Sequence, residues 1–208
     1  MILGVTGPIG CGKSTVLELF QASAWRTADA DAICRGMYDD PAGEFAAACR
    51  ERWGEAFFSN GSFDRAKIAA VVFRDPEQLR RLTELIYPHL ERKLDAFAAA
   101  ARRDGADAAV EVPLLYECGM EKRFDAVLTV WAPEEVRHER LRKFRHFDDA
   151  EIRRREARQL AADEKLERAD YALVNSGSPE MLKEQFLLLL KRLGTPRRGI
   201  ASAGPAQK

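Results

Sequence analysis

Residues Gly7 to Ser14 have the types and the spacing that bind the phosphates of a nucleoside triphosphate. They read Gly-Pro-Ile-Gly-Cys-Gly-Lys-Ser and fit the pattern G-x-x-x-x-G-K-S without a gap. Glycines let backbone N–H groups turn toward phosphate oxygens without a Cβ clash. In this pattern Lys13 reaches the β- and γ-phosphates, and the hydroxyl of Ser14 joins the coordination shell of Mg²⁺. The predicted ligands of ATP are Gly10, Cys11, Gly12, Lys13, Ser14 and Thr15, with Ser14 also on the metal.

The sequence on either side of this loop supports the assignment. A short apolar run, Ile2 to Thr6, predicts a buried strand before the loop, and Ser14 to Ala22 predicts a helix after it. The positive end of the helix dipole then points at the bound anion. The alternative is a glycine-rich turn that fits by chance, and the flanking strand and helix argue against it. Kinases, GTPases and motor ATPases share the motif, so the loop alone does not name the phosphate acceptor.

Two carboxylates follow the second predicted strand, which runs from Trp25 to Asp29. They belong to the triplet Asp29-Ala30-Asp31, and Arg35 stands one helical turn later. Ligands collect at the carboxyl ends of parallel strands, where a carboxylate can accept the proton of an acceptor hydroxyl during phosphoryl transfer. The alternative is that Asp31 caps a helix and does no chemistry. Spacing alone does not decide between these two interpretations.

The remaining elements that must position these residues follow a strand–helix alternation. Further short apolar runs predict strands at residues 108–112, 126–131 and 171–174. Helical patterns cover residues 134–143, 149–162 and 179–193. Alternating strands and helices predict a parallel sheet covered on both faces, so the expected fold class is α/β, of the P-loop type.

The longest predicted element is a helix that begins at Pro76. Asp75 can cap this helix, and Pro76 suits its first position. An apolar stripe with a spacing of three or four residues runs along it through Leu79, Leu82, Ile86, Leu90, Leu94 and Phe97. Pro88 lies inside this stripe and is expected to kink or split the helix.

Composition excludes several classes of protein. The 208 residues carry 33 basic and 33 acidic side chains, and zero net charge argues against a general nucleic-acid binder. No apolar stretch reaches the roughly 18 residues of a membrane helix, and the N-terminus lacks signal-peptide features. Four cysteines without a CxxC pair predict free thiols in a reducing compartment rather than zinc ligands. We therefore expect a cytoplasmic protein with no membrane or nucleic-acid partner, and a disordered tail at residues 194–208.

Beyond the loop, several short motifs together resemble the dephospho-CoA kinase family. They are Gly4 to Thr15, Asp29-Ala30-Asp31 with Arg35, Val112 to Glu117, Gln159 with Glu164-Lys165, Ala169-Asp170-Tyr171 and Asn175-Ser176-Gly177. They occur in the order of the family and span residues 2 to about 193. The resemblance implies transfer of the γ-phosphate of ATP to the ribose 3′-hydroxyl of dephospho-CoA, with Asp31 as the base.

The resemblance also implies a division into three parts. A nucleotide-binding core comprises residues 1–35 and 106–193, a helical CoA-binding insertion comprises residues 36–105, and a lid lies at about residues 140–158. The implied substrate contacts come from Asp31, Arg35, Pro88, Pro113 and Leu114. Asn175 is implied to line the adenine pocket, although Asn-Ser-Gly is also simply a good turn sequence.

The segment from Arg137 to Arg158 is strongly basic and resembles the lid of the family. A guanidinium brought in by lid closure stabilises the charge on the transferring phosphoryl group, and a closed lid excludes water. Acidic residues are interleaved here, so most of these arginines are expected to lie on a solvated face. Arg142 and Arg145 are the predicted catalytic arginines because they lie near the turn before Asp148.

Two positions depart from the pattern of the family. Tyr87 precedes Pro88 where the family usually has histidine, so a CoA contact made by that histidine is altered or shifted here. Glu111 stands ahead of Val-Pro-Leu-Leu, where it either holds Mg²⁺ through water or meets a neighbouring Lys or Arg. The sequence leaves both roles of Glu111 open.

Three functions are consistent with these sequence features. The first is a dephospho-CoA kinase that uses ATP and Mg²⁺, with dephospho-CoA as its small-molecule partner, acting as a monomer or weak homo-oligomer. The second is another P-loop small-molecule kinase, since a different insertion is enough to change the acceptor. The third is a regulatory protein switched by a nucleoside triphosphate, which zero net charge disfavours if its partner is a nucleic acid.

Overall fold

A computed structural model describes residues 1–72 and 74–194 of the chain. Its centre is a sheet of five parallel strands in the order β2-β5-β1-β6-β7. These strands are β1 (Ile2–Thr6), β2 (Arg26–Asp29), β5 (Ala108–Glu111), β6 (Ala126–Trp131) and β7 (Tyr171–Val174). The parallel α/β prediction is confirmed, and the predicted disordered tail lies, beyond residue 194, outside the described residues.

Helices cover both faces of this sheet. On one face lie α1 (Lys13–Ala22) and α9 (Pro179–Leu193), where the rings of Phe20 and Phe186 meet edge to face with centroids 4.8 Å apart. Strands β1, β5 and β6 are buried almost throughout because their apolar side chains meet helices or connecting segments on both sides. This burial on both sides is the physical reason that the strands read as short apolar runs without alternation.

The chain between β2 and β5 forms a mainly helical unit against the other face. Its elements are α2 (Ala30–Met37), α3 (Glu44–Trp53), β3 (Phe58–Ser59), β4 (Ser62–Phe63), α4 (Arg65–Val72) and α5 (Pro76–Arg103). Strands β3 and β4 pair antiparallel around the turn Asn60-Gly61. Two-residue strands carry no periodic signal, so this hairpin could not be predicted from the sequence.

Helix α5 begins as the sequence predicts. The Asp75 carboxylate accepts the N–H of Glu77 at 2.9 Å, and Pro76 occupies the first turn. Of the two effects expected of Pro88, a kink or a split, the split does not occur, because α5 is unbroken over 28 residues. Leu82 before the proline and Leu90 after it are both buried in the same core, so packing on both sides holds the helix together despite the lost hydrogen bond.

The cap of α5 gives a direct test of local stability. We expect Asp75→Ala to lower the free energy of unfolding by about 1 kcal/mol, because the N–H of Glu77 loses its acceptor. Asp75→Asn is the matched control, since asparagine caps a helix about as well as aspartate. Urea titration of the three proteins measures the difference. Equal losses in both variants would show that the carboxylate charge, rather than the cap, stabilises the helix.

The chain between β6 and β7 carries three helices: α6 (Glu134–Arg145), α7 (Asp149–Glu156) and α8 (Ala162–Arg168). The predicted helix 149–162 is therefore too long, since α7 ends at Glu156. The N–H of Leu160 donates to the Glu117 carboxylate at 2.7 Å instead of to a helical carbonyl, and the chain turns before α8. Within the described residues, no helix is long and apolar enough to cross a bilayer.

Candidate active site

The loop between β1 and α1 has a backbone that requires glycine. Gly7 has φ +146°, and a Cβ there would lie 2.2 Å from the carbonyl oxygen of Val130. Gly12 has φ +95°, and a Cβ there would lie 2.3 Å from the side-chain nitrogen of Asn175. The loop is thus packed against the neighbouring strands, which holds its backbone in the conformation that a phosphate needs.

Lys13 places its ammonium inside this loop. The residue is only 8% exposed, and its Nζ donates to the carbonyl oxygens of Gly7 and Pro8, each at 3.1 Å. Ser14 and Thr15 follow at the start of α1 and are exposed. The helix N-terminus and the ammonium therefore lie together at the loop, with two exposed hydroxyl residues beside them, as expected for a phosphate-binding site.

Asn175 supports the loop from behind. Its Nδ2 donates to the carbonyl oxygen of Cys11 at 2.9 Å, and its Oδ1 accepts a hydrogen bond from Arg140 at 3.4 Å. Asn175 is buried, so its contacts in the structure are with the protein backbone and Arg140. Burial also raises the pKa of the Cys11 thiol. An adenine contact by Asn175 remains a prediction, whereas its contact with the loop is direct.

The structure separates the two aspartates after β2. Asp29 is the cap of α2, because its carboxylate accepts the N–H of Asp31 at 2.8 Å. Asp29 also lies 3.4 Å from the guanidinium of Arg35. Asp31 lies inside the first turn of α2, and its side chain is exposed. The capping role that the sequence left open for Asp31 thus belongs to Asp29, and the carboxylate of Asp31 is available for chemistry.

The surroundings of Asp31 raise its pKa. Solvent reaches the side chain, but desolvation by the surrounding protein raises the pKa most, and the negative charge of Asp29 raises it further. The charges of Arg35, Lys13 and Arg155 act in the opposite direction. A carboxylate with a raised pKa is a better proton acceptor, so these surroundings suit a general base.

Glu111 lies beside the phosphate loop at the carboxyl end of β5. It is 7% exposed, and it pairs in register with Asp29 on one side and Val5 on the other. Burial raises its pKa, while the charge of Lys13 and the hydroxyl of Ser14 oppose this rise. No ion pair within the described residues includes Glu111, so the structure favours a role near Ser14 over a structural salt bridge.

The predicted catalytic arginines, Arg142 and Arg145, lie in the last turn of α6. Arg142 pairs with Asp149 at 2.8 Å with half of its side chain exposed, and Arg145 is exposed at the end of α6. The charge of Arg155 in α7 lowers the pKa of Asp31, so Arg155 is a further candidate arginine that the sequence did not single out. A catalytic role for Arg142 and Arg145 stays a prediction.

Arg137 is an exception to the expected solvated face. Its side chain is 7% exposed, and one nitrogen donates to the carbonyl oxygen of Ile9 at 3.2 Å. The same nitrogen lies 2.5 Å from the carboxylate of Glu156 at the end of α7. Arg137 therefore links the phosphate loop to the C-terminal end of α7.

The loop after β5 holds the remaining predicted substrate residues. The carbonyl oxygen of Pro113 accepts a hydrogen bond from the Nζ of Lys165 at 2.8 Å. The next residue, Leu114, is partly exposed. Tyr87 on α5 accepts a hydrogen bond from the Cys118 thiol at 2.8 Å. Arg35 and Pro88 are exposed. The structure does not test contacts of these residues with a substrate, and they stay predictions.

Together, the fold and this site define an ATP-dependent P-loop kinase. The phosphate loop follows β1, acidic residues follow β2 and β5, and a basic helical segment lies beside them. The family model for dephospho-CoA kinase matches residues 1–180, and the chain belongs to that family.

Individual relatives support this assignment. A dephospho-CoA kinase from Deinococcus radiodurans is 40% identical over 192 residues, covering 92% of this chain and 91% of the relative. A solved structure from Thermus thermophilus is 32% identical with a TM-score of 0.77, covering 94% of this chain and 98% of that one. The dephospho-CoA kinase structure from Campylobacter jejuni has a TM-score of 0.70 at 22% identity. The match covers 92% of this chain and 96% of that one, and it supports the fold.

Proposed function

We propose that this protein transfers the γ-phosphate of ATP to the ribose 3′-hydroxyl of dephospho-CoA. The proposal is carried by the different roles of the two aspartates after β2. Asp29 caps the helix, whereas Asp31 is free of that role and its pKa is affected by the charges of Lys13 and Arg155. A proton acceptor and a phosphate-binding cation thus belong to one site, as transfer to a hydroxyl requires. Membership of the family supports the choice of acceptor.

The residues present fit a magnesium ion. Ser14 supplies a hydroxyl and Glu111 a buried carboxylate, and Mg²⁺ prefers such oxygen ligands together with phosphate oxygens and water. We assign Ser14 to direct coordination and Glu111 to a position behind it. When bound, the ion neutralises charge on the phosphates of ATP. Lys13 and the N–H groups of the loop hold the same phosphates in line with the acceptor.

Asp31 receives the proton of the acceptor hydroxyl in this proposal. Its raised pKa strengthens it as a base, and the positive charges of Arg35, Lys13 and Arg155 limit that rise and favour the carboxylate form. Arg155 also stabilises the negative charge on the phosphoryl group as it moves. Closure of the lid over the site would exclude water, which would otherwise compete as an acceptor.

The cellular setting is proposed on separate grounds. All four cysteines are free thiols, as expected in the reducing cytoplasm. Zero net charge supports a small-molecule partner rather than a nucleic acid. The state as a monomer or weak homo-oligomer, and the division into core, insertion and lid, stay as predictions.

The release of ADP from ATP tests the function. It is measured with dephospho-CoA, with shikimate, with nucleosides and without any acceptor. We expect only dephospho-CoA to accelerate release, and the product to carry a 3′-phosphate. Acceleration by another acceptor would favour a different small-molecule kinase, and slow release unaffected by any acceptor would favour the nucleotide-switched protein.

Removal of the Glu111 charge tests the proposed metal site. We expect Glu111→Gln to raise the Mg²⁺ concentration for half-maximal turnover by about tenfold, because second-layer groups commonly change metal affinity by that factor or more. Turnover at saturating Mg²⁺ should recover most of its wild-type value. The measurement is a Mg²⁺ titration at fixed free ATP, with Glu18→Gln on the exposed face of α1 as the control. An unchanged half-maximal concentration would remove Glu111 from the metal site.

A further inference from the structure

The base of the lid, residues 156–160, touches the phosphate loop through Gln159. Its Oε1 accepts the backbone N–H of Ile9 at 2.9 Å. Ile9 is the third residue of the loop and directly precedes Gly10. Gln159 is partly buried, and it lies 150 residues away in the chain, so the contact exists only because the lid returns onto the loop.

The other backbone group of Ile9 is held from the same side. Its carbonyl oxygen accepts a hydrogen bond from Arg137 at 3.2 Å, and Arg137 in turn pairs with Glu156 in the lid base. Both backbone polar groups of Ile9 are therefore bound to side chains, one from the lid base and one from α6. A movement of Ile9 when phosphate binds must change these contacts.

The lid base is fastened to the core immediately after Gln159. The N–H of Leu160 donates to the Glu117 carboxylate at 2.7 Å. That carboxylate also forms an ion pair with the Nζ of Lys165 at 2.8 Å, and Lys165 is completely buried. Removing one partner of such a buried pair is strongly destabilising, so the pair forms a fixed point. The lid base is thus anchored to the core at Leu160.

Arg155 lies four residues before Gln159, in the last turn of α7, and its carbonyl oxygen accepts the N–H of Arg158 at 3.2 Å. The charge of Arg155 lowers the pKa of Asp31, and Gln159 binds the N–H of Ile9. A cavity of about 360 Å³ beside the lid base is lined by Pro8, Trp131 and Gln159, among others. This space adjoins the Gln159 side chain. The hydrogen-bonded turn from Arg155 to Gln159 thus connects the phosphate loop to the residue whose charge acts on Asp31.

We propose that Gln159 is a positioning residue that couples the phosphate loop to the lid, so that the loop conformation with bound ATP sets the position of Arg155. The proposal rests on the kinase function above. A ligand shifts a conformational equilibrium only by its difference in affinity for the two states, and the hydrogen bond to Ile9 supplies such a difference. Binding of ATP and of acceptor should therefore be coupled through Gln159.

The test compares three variants. Gln159→Leu keeps the size of the side chain and removes the acceptor for the Ile9 N–H. Gln159→Glu keeps an acceptor oxygen, and it remains informative if the leucine variant folds poorly. Arg158→Leu is the matched control, because it is an exposed neighbour in the lid base. The readouts are turnover and the Kd of dephospho-CoA with and without a non-hydrolysable ATP analogue.

In the wild type we expect the ATP analogue to tighten dephospho-CoA binding at least about threefold. In Gln159→Leu this ratio should fall to about one and kcat should fall about three- to tenfold, as expected for one lost hydrogen bond. Gln159→Glu and Arg158→Leu should retain the ratio. Combining Gln159→Leu with Arg155→Gln should lower kcat no further than Arg155→Gln alone, because both changes break the same path.

Two results would overturn the coupling. One is a ratio of about one in the wild type, and the other is an unchanged ratio in Gln159→Leu. Additive losses in the double variant would place Gln159 and Arg155 in separate roles and would likewise contradict the proposal. A wild-type protein that does not phosphorylate dephospho-CoA would instead refute the proposed function, so the two failures are distinguishable.

Discussion

Replacing Lys13 with alanine is expected to lower turnover by about a thousandfold or more while the protein stays folded. Its Nζ lies inside the phosphate loop, where it stabilises charge that develops on the transferring group. The loss also affects Asp31 and Glu111, because the charge of Lys13 lowers both of their pKa values. Both carboxyl groups would then protonate more readily, which further weakens proton transfer and metal binding.

Stability should change little in this variant. The two hydrogen bonds from Nζ to backbone carbonyls contribute about 1 kcal/mol each, and the burial of an ammonium costs a similar or larger amount. Lys13→Met keeps most of the aliphatic side chain and separates the loss of charge from the loss of packing. Lys143→Met, on the exposed face of α6, is the control. Thermal melting without ligand and steady-state turnover are measured together, and near-normal turnover in Lys13→Met would contradict the assignment of the loop.

The phosphate loop and its flanking elements follow from the sequence because their signals are local. Strand β1, the glycine pattern and α1 lie within residues 2–22, and each depends mainly on its own residue types. The end of α7 is different. It depends on the hydrogen bond between Leu160 and Glu117, which are 43 residues apart, and no local pattern predicts that contact.

The roles of individual site residues show the same limit. Asp29 and Asp31 have equal propensity to cap a helix, and only the backbone register places the Asp29 carboxylate on the N–H of Asp31. Arg142, Arg145 and Arg155 are likewise equivalent by residue type. The packing of α7 against the rest of the chain decides which of their charges lowers the pKa of Asp31, and that packing is a tertiary property.

The pH dependence of the reaction follows from the pKa of Asp31. A base must be deprotonated to act, so kcat/KM falls as pH drops through this pKa. Since the surroundings raise the pKa, the acid limb lies at a higher pH than for an ordinary aspartate. Loss of the Arg155 charge removes an influence that lowers the pKa, so Arg155→Gln should move the acid limb further upward. Asp29→Asn removes a neighbouring negative charge and should move it downward.

Asp31→Asn isolates the role of the carboxylate in catalysis. We expect kcat with dephospho-CoA to fall by at least about a hundredfold, because a positioned base commonly contributes 10²–10⁴-fold. Helix α2 should remain, since its cap is Asp29, and ATP affinity should change little. Asp29→Asn is the matched control, because asparagine still caps the helix and the carboxylate of Asp31 is untouched. Steady-state kinetics, ATP titration and circular dichroism give the three readouts. If Asp31→Asn keeps turnover within about threefold of wild type while Asp29→Asn loses it, the base is Asp29 and the proposed mechanism is wrong at its central residue.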